Sequence, residues 1–237
     1  MPVITIRGQE ASGAPEIGKM VAKELRIDYV DNGIIADVAR RLHLDEMDVL
    51  KKETLPTTLF GRIARALAMG GDALSRDYQS GGGEETFYMP MEMYPWEIPI
   101  DDKVYLHTLK LVITELAKSQ AIVIRGRGSQ FILKDFPGAF HVLIVAPLDL
   151  RVKRVMERMK LNEENAKKEI KDSDSNHHEF TRRYFHAETE DPLDYDLVIN
   201  TKRITLEEAT SIIVNAIPFE KRNKGQTTHG NASPNPK

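Results

Sequence analysis

The segment VITIRGQEASGAPEIGK, residues 3–19, decides the fold that the sequence predicts. An apolar strand over residues 3–6 runs into a glycine-bounded loop, and a helix is expected from near Pro15. A strand, such a loop and a helix in this order are the context in which a phosphate-binding loop is credible. Gly8 and Gly13 take the two glycine positions of the pattern G-x-x-x-x-G-K-[ST]. Such a loop binds phosphate through backbone N–H groups and the positive end of a helix.

The same loop departs from the pattern at its two most diagnostic positions. Ala14 stands where a lysine is expected, and Pro15 replaces the hydroxyl that holds Mg²⁺ and lacks a backbone N–H. A well-capped helix start is the alternative interpretation, with Ser12 as the cap and Glu16 in the first turn. We favour phosphate binding by a loop made of Gly8, Gln9, Glu10, Ala11, Ser12, Gly13 and Ala14.

The composition predicts a cytoplasmic protein with a sizeable core. The chain has 237 residues, of which 41% are hydrophobic, and its net charge of -3 argues against bulk electrostatic binding of nucleic acid. It contains no cysteine, so we expect neither disulfides nor thiolate metal sites. No apolar run approaches the roughly 20 residues of a membrane span. The strand that begins at residue 3 leaves no room for a signal peptide.

Apolar runs alternate with helical periodicity along most of the chain. Continuous Val- and Ile-rich runs are typical of a parallel sheet that is covered on both faces. Strands alternating with helices indicate right-handed βαβ crossovers and a doubly wound sheet, hence an α/β protein. The predicted strands are 3–6, 121–124, 142–145 and 196–200, with a short strand before Asp31, and the predicted helices are 16–25, 34–42, 105–117, 148–159 and 206–217.

Two segments do not fit this alternation, namely residues 45–103 and residues 159–190. The first holds a helical piece at 59–69 and a glycine-rich loop, and the second is strongly charged. Insertions on a rigid sheet commonly form lids or substrate-binding lobes. We expect a single domain over residues 1–218, with these two insertions and a disordered tail at 219–237.

The loop at residues 80–102 carries a cluster of apolar and aromatic side chains. A semi-exposed patch of this kind often marks an interface or a lid, and it makes a homodimer one expectation. Packing of the loop back onto the core is the other. The cluster consists of Tyr88, Met89, Met91, Met93, Tyr94 and Trp96.

Polar side chains follow two of the predicted strands. Asp31 and Asn32 follow the short second strand, and Arg125 and Arg127 follow the strand at 121–124. The carboxyl ends of parallel strands face the crevice in which such sheets bind ligands. A carboxylate and an amide suit a base or a ribose, whereas arginine suits phosphate. The alternatives are a plain turn at Asp31 and arginines that are simply solvated.

The helix at 148–159 presents Arg154 and Arg158 on one face, because they are four residues apart. Cations at the start of a lid would neutralise charge during phosphoryl transfer. A solvated face with a Lys153–Glu157 pair is the competing interpretation. The acidic and histidine-containing run at 172–186 matches no metal-ligand pattern, so we assign no protein ligand for a metal.

Taken in order, these pieces resemble the cytidylate kinase-like family, a branch of the nucleoside monophosphate kinases. The resemblance covers most of residues 1–217. It implies a three-layer α/β/α P-loop fold and a kinase that uses ATP and Mg²⁺ to phosphorylate a nucleoside monophosphate or a similar small acceptor. The matching stretches are SGAPEIGK (12–19), YVDNGII (29–35), IVIRGRGSQFIL (122–133), VAPLDLRVKRVMER (145–158) and DYDLVINT (194–201).

The resemblance also implies roles for individual residues. The loop at 8–13 would cradle the donor phosphates. Asp31 and Asn32 would face the acceptor nucleotide, and Arg127 would bind its phosphate. The cations on the donor side would be Arg154 at the base, Arg158 near the phosphates, and Arg182 or Arg183 closing from the lid.

The chain departs from the family pattern outside the loop as well. Asp37 stands where an arginine is expected, and His177 stands where a lid arginine is expected. Arg125 replaces an aspartate that contacts cytosine, so it is a substrate-binding candidate without cytosine specificity. These losses keep an alternative open: a regulatory or interaction module that binds nucleotide but does not transfer phosphate. The candidates for a replacement cation are Arg7, Arg62 and Arg65.

Overall fold

The computed structural model describes residues 1–31, 33–44, 46, 49 and 101–217. Some sequence predictions fall outside these residues. They concern Asn32, Arg62, Arg65, the helical piece at 59–69, the aromatic cluster at 88–96 and the tail at 219–237.

A sheet of five parallel strands forms the centre of the molecule. The strands are β1 (Val3–Gly8), β2 (Asp28–Val30), β3 (Ile122–Arg125), β4 (Ala139–Val145) and β5 (Leu197–Asn200). Their order across the sheet is β2-β3-β1-β4-β5, which places β1 and its loop in the middle.

Helices connect the strands and cover the sheet. None of the described helices is long and apolar enough to cross a membrane. The helices are α1 (Ala14–Leu25), α2 (Gly33–Leu42), α3 (Asp102–Ser119), α4 (Ser129–Ile132), α5 (Leu148–Met159), α6 (Glu163–Phe185) and α7 (Leu206–Ala216), with a 3-10 turn at Pro192–Asp194.

The side chains of β3 show that both faces of the sheet are covered. Ile122 and Ile124 lie in the core formed with α2 and α3, whereas Val123 lies in the core formed with α1 and α7. Successive side chains of a strand point to opposite faces, so the continuous apolar run fills two cores at once. Leu109 of α3 is buried in the first core, and Ile17 of α1 is buried in the second. The predicted α/β class, with a parallel sheet between two helical layers, is confirmed.

The polar segment predicted as a lid contains a single helix, α6, of 23 residues. Asn162 caps it by accepting a hydrogen bond from the amide of Asn165 at 2.9 Å. Ala166 and Ile170 pack against α5, while the aromatic residues near the C-terminal end join the core on the α3 side. The helix therefore runs across the carboxyl edge of the sheet from α5 towards α3.

Candidate functional site

A cleft of about 480 Å³ opens at the carboxyl ends of β1 and β3, beneath α6. Loop, strand-end and lid-helix residues all line it, as the resemblance implies for a substrate site. The lining residues from the strand ends and loops are Ile6, Arg7, Gly8, Glu10, Asp31, Arg125, Gly126, Arg127, Gly128 and Gln130, and those from α6 are Glu169, Asp172, Ser173, Asn176, His177, Phe180 and Thr181.

The loop between β1 and α1 is tightly packed against the start of the helix. A Cβ on Gly8 would lie 2.3 Å from the Cβ of Ala14 and 2.6 Å from the Oγ of Ser12, so only glycine fits there. Gly13 has φ 96°, a left-handed conformation that favours glycine. The close packing at Gly8 and the left-handed backbone at Gly13 explain why glycine stands at both positions of the motif.

The expectation that Ser12 caps the helix is wrong. Gly13 is the N-cap residue of α1, and no side chain accepts a hydrogen bond there. The Ser12 Oγ atom is buried and has no hydrogen-bond partner in the described part of the chain. The N-terminal end of α1 is therefore left without a side-chain cap, which suits it to an anionic ligand.

Hydrogen bonds within the protein narrow the set of loop amides that can bind phosphate. The amide of Gln9 donates to the Ile144 carbonyl at 3.2 Å, and the amide of Ser12 donates to the Gln9 carbonyl at 3.0 Å. Among the described residues, the amides of Ala11, Gly13 and Ala14 have no hydrogen-bond acceptor. These three groups, with the amide of Glu10 that donates to Asp174, are the candidate loop donors for a ligand.

Side chains from β5 and α5 brace the back of the loop. Arg154 donates from Nη1 to the Ala11 carbonyl at 3.0 Å and to Thr201 Oγ1 at 3.2 Å. Thr201 in turn donates to the Ser12 carbonyl at 2.8 Å. Gln9 reaches β4 by accepting from the amide of Ala146 at 3.0 Å. The loop therefore has a defined shape in the absence of ligand.

A carboxylate of α6 contacts the front of the loop. The amide of Glu10 donates to Asp174 Oδ1 at 3.3 Å, and the other oxygen of Asp174 pairs with Arg151 Nη1 at 2.7 Å. We call this pair of contacts the Asp174 latch. Because a carboxylate already accepts from this amide, the amide points outwards in a geometry that suits an anion. A phosphate oxygen at the same place would displace Asp174.

Glu10 places a second carboxylate at the front of the loop. Its Oε1 lies 2.5 Å from Arg158 Nη2, and its Oε2 accepts from Ser173 Oγ at 3.4 Å. Arg154 and Arg158, predicted to share a helix face, thus both reach the loop, one at its back and one at its front. In the ligand-free molecule the charge of Arg158 is balanced by Glu10.

The strand ends on the other side of the cleft carry the predicted acceptor-side residues. Arg125 Nη1 lies 2.6 Å from Asp31 Oδ2, and Tyr29 donates to the same oxygen at 3.4 Å. Arg127 follows with φ 57°, a left-handed backbone, and lines the cleft. Burial first, and then Asp31, raises the pKa of Tyr29 to about 12, so its hydroxyl stays protonated. The structure thus brings Asp31, Arg125 and Arg127 together.

The sequence analysis names Arg7 only as one candidate for a replacement cation and predicts nothing about its surroundings. It is the seventh residue of the chain and lies near the end of β1, only 8% exposed, with Nη1 donating to the Gly8 carbonyl at 2.6 Å. Burial lowers its pKa, and Arg125 lowers it as well. The pattern that marks it is a charged residue at the end of an otherwise apolar central strand.

His177, which replaces an expected lid arginine, lies on α6 and lines the cleft. Burial, and then the charges of Arg7, Arg125, Arg127 and His178, lower the pKa of His177 to about 3. Its Nδ1 atom is buried and has no hydrogen-bond partner in the described part of the chain. The histidine is therefore neutral at pH 7, and Arg7, Arg125 and Arg127 line the cleft with it.

The two predicted lid arginines do not line the cleft. Arg182 pairs with Glu188 at 3.0 Å on the surface. Arg183 makes a bidentate contact with Asp102 and stacks over the Tyr184 ring at 5.2 Å. Neither contributes to the site in this arrangement of α6, and their assigned roles remain predictions.

Within the residues that the structure describes, no group of three or more His, Cys, Asp or Glu side chains could hold a metal ion. A nucleotide-bound Mg²⁺ does not need such a group, because it keeps several waters and takes only one or two carboxylates beside the phosphates. Glu10 and Asp174 offer carboxylates at the front of the loop. The donor set fits an ion carried by phosphate.

Comparisons with known proteins agree with the predicted family. The model of the cytidylate kinase-like family matches residues 3–203. Cytidylate kinase of Sulfolobus acidocaldarius is 26% identical over 216 residues, which cover 90% of this chain and 93% of that protein.

Solved structures show a similar fold. The crystal structure of an uncharacterized protein from Eubacterium ventriosum superposes with a TM-score of 0.60 at 18% identity, covering 92% of this chain and 98% of that one. Shikimate kinase from Acinetobacter baumannii, solved in complex with shikimate, gives a TM-score of 0.44 at 14% identity and covers 92% of this chain and 93% of its own. The first likeness supports the fold, and the second is too low to carry an argument.

Proposed function

We propose that this chain, which belongs to the cytidylate kinase-like family, transfers the γ-phosphoryl group of ATP to a nucleoside monophosphate or a similar small acceptor. Family membership supports a kinase-like, nucleotide-binding activity. The observation that carries the proposal is one cleft that joins the glycine-bounded loop to Arg7, Arg125 and Arg127, at and beyond the ends of β1 and β3.

The donor phosphates would lie at the N-terminal end of α1. The amides of Ala11, Gly13 and Ala14 and the positive end of the helix would bind their oxygens. Arg158 would exchange Glu10 for phosphate as the donor binds. When bound with ATP, Mg²⁺ supplies charge neutralisation on the phosphate oxygens, and the Glu10 carboxylate, released from Arg158 by the donor, would hold it.

The acceptor would lie at the ends of β2 and β3. Arg127 would bind its phosphate, and the Asp31–Arg125 pair would contact the base or the ribose. Because Arg125 replaces the aspartate of the cytosine-binding pattern, we do not propose CMP as the preferred acceptor. The protein would hold an acceptor oxygen in line with the γ-phosphorus and exclude water beneath α6.

An assay of ADP release tests this proposal. Purified protein is incubated with ATP and Mg²⁺ and a panel of nucleoside monophosphates, and ADP is followed by a coupled reaction. We expect turnover with at least one acceptor, and we expect Arg127→Met to reduce it about 100-fold by removing one transition-state contact. Lys19→Met is the matched control, because Lys19 is exposed on α1 and its loss changes the net charge equally.

The second candidate is a regulatory module that binds nucleotide without transferring phosphate. It is favoured by Ala14, Pro15 and the Asp174 latch, which place no lysine and no hydroxyl, but two carboxylates, at the loop. ATP binding in a calorimeter with no ADP release for any acceptor would support this candidate against the kinase.

Some proposals about the chain's context rest on the sequence alone. We keep the proposals of cytoplasmic localisation, of a single domain over residues 1–218 and of nucleotide and small-molecule ligands without nucleic acid or membrane partners. The homodimer depends on the aromatic cluster at 88–96, which lies outside the described residues. Light scattering at micromolar concentration tests it, and a monomer would contradict it.

A further inference from the structure

Arg7 is a buried cation that lines the cleft between its donor and acceptor sides. Ile4 and Ile6 lie in the core with α1 and α7, whereas Val3 lies in the opposite core. Since side chains alternate along a strand, Arg7 shares the face of Val3, which is the face that α3 and α6 cover. Gly8 follows it directly and opens the loop.

The register of the sheet brings Arg7 close to the acceptor side as well. Ile6 of β1 is paired with Arg125 of β3, and the amide of Gly126 donates to the Ile6 carbonyl at 3.2 Å. Arg7 therefore follows the residue that pairs with Arg125 and precedes the first residue of the phosphate loop. In a reaction between two phosphates held at these two places, the transferred group would pass in front of Arg7.

In the described part of the chain no carboxylate lies within 4.0 Å of Arg7, and the charges of Glu190 and Asp174 act on it only from a greater distance. Its one hydrogen bond goes to the neutral carbonyl of Gly8. Three other arginines each form an ion pair: Arg125 with Asp31, Arg151 with Asp174 and Arg158 with Glu10. Buried charges are normally paired, and arginine does not lose its proton to escape burial. A buried guanidinium that lines a cleft and has no carboxylate in contact is suited to an anionic ligand.

We infer that Arg7 is a catalytic residue of the proposed reaction, whose guanidinium neutralises the phosphoryl group in transfer and replaces the lysine that Ala14 removes from the loop. This inference rests on the proposed function, and it names the cation on which that function depends. In the transfer, a bond forms between the acceptor oxygen and the γ-phosphorus while the bond to the ADP oxygen breaks. Arg7 stabilises the charge on the equatorial oxygens throughout.

The alternative to a catalytic role is a structural one, in which the hydrogen bond from Arg7 to the Gly8 carbonyl holds the loop in shape as a brace. The two roles predict opposite changes in the melting temperature. Arg7→Met keeps most of the length of the side chain and removes its charge. If Arg7 is catalytic, the ligand-free variant melts at or above the temperature of the wild type, because a buried charge has been removed. If Arg7 is a brace, the variant melts lower and its loop is distorted.

The decisive experiment compares the wild type, Arg7→Met, Arg7→Lys and the control Lys19→Met. We measure ligand-free melting, calorimetric binding of inorganic tripolyphosphate, and kcat and KM for the best acceptor. For Arg7→Met we expect tripolyphosphate affinity to fall about tenfold and kcat to fall about 100-fold, with KM for the acceptor changed less than about threefold. Arg7→Lys keeps a positive charge and should recover part of both losses.

The outcomes separate this inference from the proposed function. If the wild type turns over and Arg7→Met matches it in kcat and in tripolyphosphate affinity, the role of Arg7 is overturned and the kinase stands. If the wild type transfers phosphate to no acceptor, the proposed function fails and the catalytic role fails with it. If Arg7→Met does not fold, Arg7→Lys decides: a folded variant with wild-type kcat and affinity supports the charge, and one with neither overturns it.

Discussion

Gly8 shows how a single residue fixes the shape of the phosphate loop. We predict that Gly8→Ala lowers the free energy of unfolding by about 1–3 kcal/mol, because its Cβ would overlap Ala14 and Ser12 and force the loop away from α1. Urea unfolding followed by circular dichroism measures the change. Gly33→Ala is the control, since a Cβ there would meet Val30 Cγ2 at 3.3 Å and no other atom of the described residues within 4 Å. Equal losses in the two variants would contradict the tight loop.

His177 makes the stability of the protein depend on pH. Its pKa is about 3 in the folded state and near 6.5 in the unfolded chain, so between these values only the unfolded chain binds the proton. The contribution of neutral His177 to the free energy of unfolding is therefore fully present above pH 6.5. It is lost as the pH drops towards 3, by at most about 1.4 kcal/mol per pH unit.

Urea unfolding at several values between pH 7 and pH 4.5 checks this dependence. His177→Gln should reduce the slope over that range while leaving stability at pH 7.5 nearly unchanged. An unaltered slope would mean that other groups carry the pH dependence. Bound tripolyphosphate should also reduce the slope, because an anion among Arg7, Arg125 and Arg127 favours the charged imidazole.

Some of the site could be predicted residue by residue, and the reason is geometric. Asp31, Arg125 and Arg127 lie at or just beyond the ends of parallel strands, and such strands end at one edge of the sheet, so their proximity follows from the pattern. The approach of Arg125 to β1 and the contact between Glu10 and Asp174 each join residues more than 100 positions apart. No local pattern of residues contains that information.

At the scale of elements, the Asp174 latch joins α6 to the front of the loop and to α5. We predict that Asp174→Asn tightens binding of ATP about fivefold, because a carboxylate no longer competes with phosphate for the Glu10 amide and Arg151. The same change should lower the melting temperature of the ligand-free protein, since it leaves Arg151, 7% exposed, without a charged partner.

Calorimetry with ATP and Mg²⁺ measures the affinity. Asp172→Asn is the matched control, because Asp172 lies on the same helix and lines the same cleft without touching the loop in any contact that the structure gives. A similar gain in both variants would show that general charge, rather than the latch, sets the affinity. No gain in either would contradict competition at the loop.

The helices differ in how well the sequence predicts them. Helix α5 lies at Leu148–Met159, which are the predicted bounds, because its apolar residues repeat with helical spacing. Helix α6 was predicted only as a polar insertion. Its buried side chains, Ala166, Ile170, Thr181 and Tyr184, are sparse and partly polar, so the periodicity is weak. Caps and side-chain pairs such as Glu163–Lys167 support this helix instead.

At the scale of the whole molecule, the two-sided burial of the sheet made the strands predictable. Residues of β1, β3 and β4 fill both cores, so they appear in the sequence as unbroken apolar runs. The order β2-β3-β1-β4-β5 does not follow from those runs. It depends on which helix covers which face, and we made no prediction of it. The central place of β1 is what exposes its loop to both sides of the cleft.

The proposed function depends on the backbone amides at the start of α1, which would bind the phosphates of a nucleotide. Titration of ¹⁵N-labelled protein with ATP and Mg²⁺, followed in amide ¹H–¹⁵N spectra, observes these groups directly. We predict saturable shifts that are largest at Glu10, Ala11, Gly13 and Ala14, with smaller shifts at Gln9, whose amide is bound to Ile144. Unmoved resonances at those four residues in millimolar nucleotide would contradict the central claim.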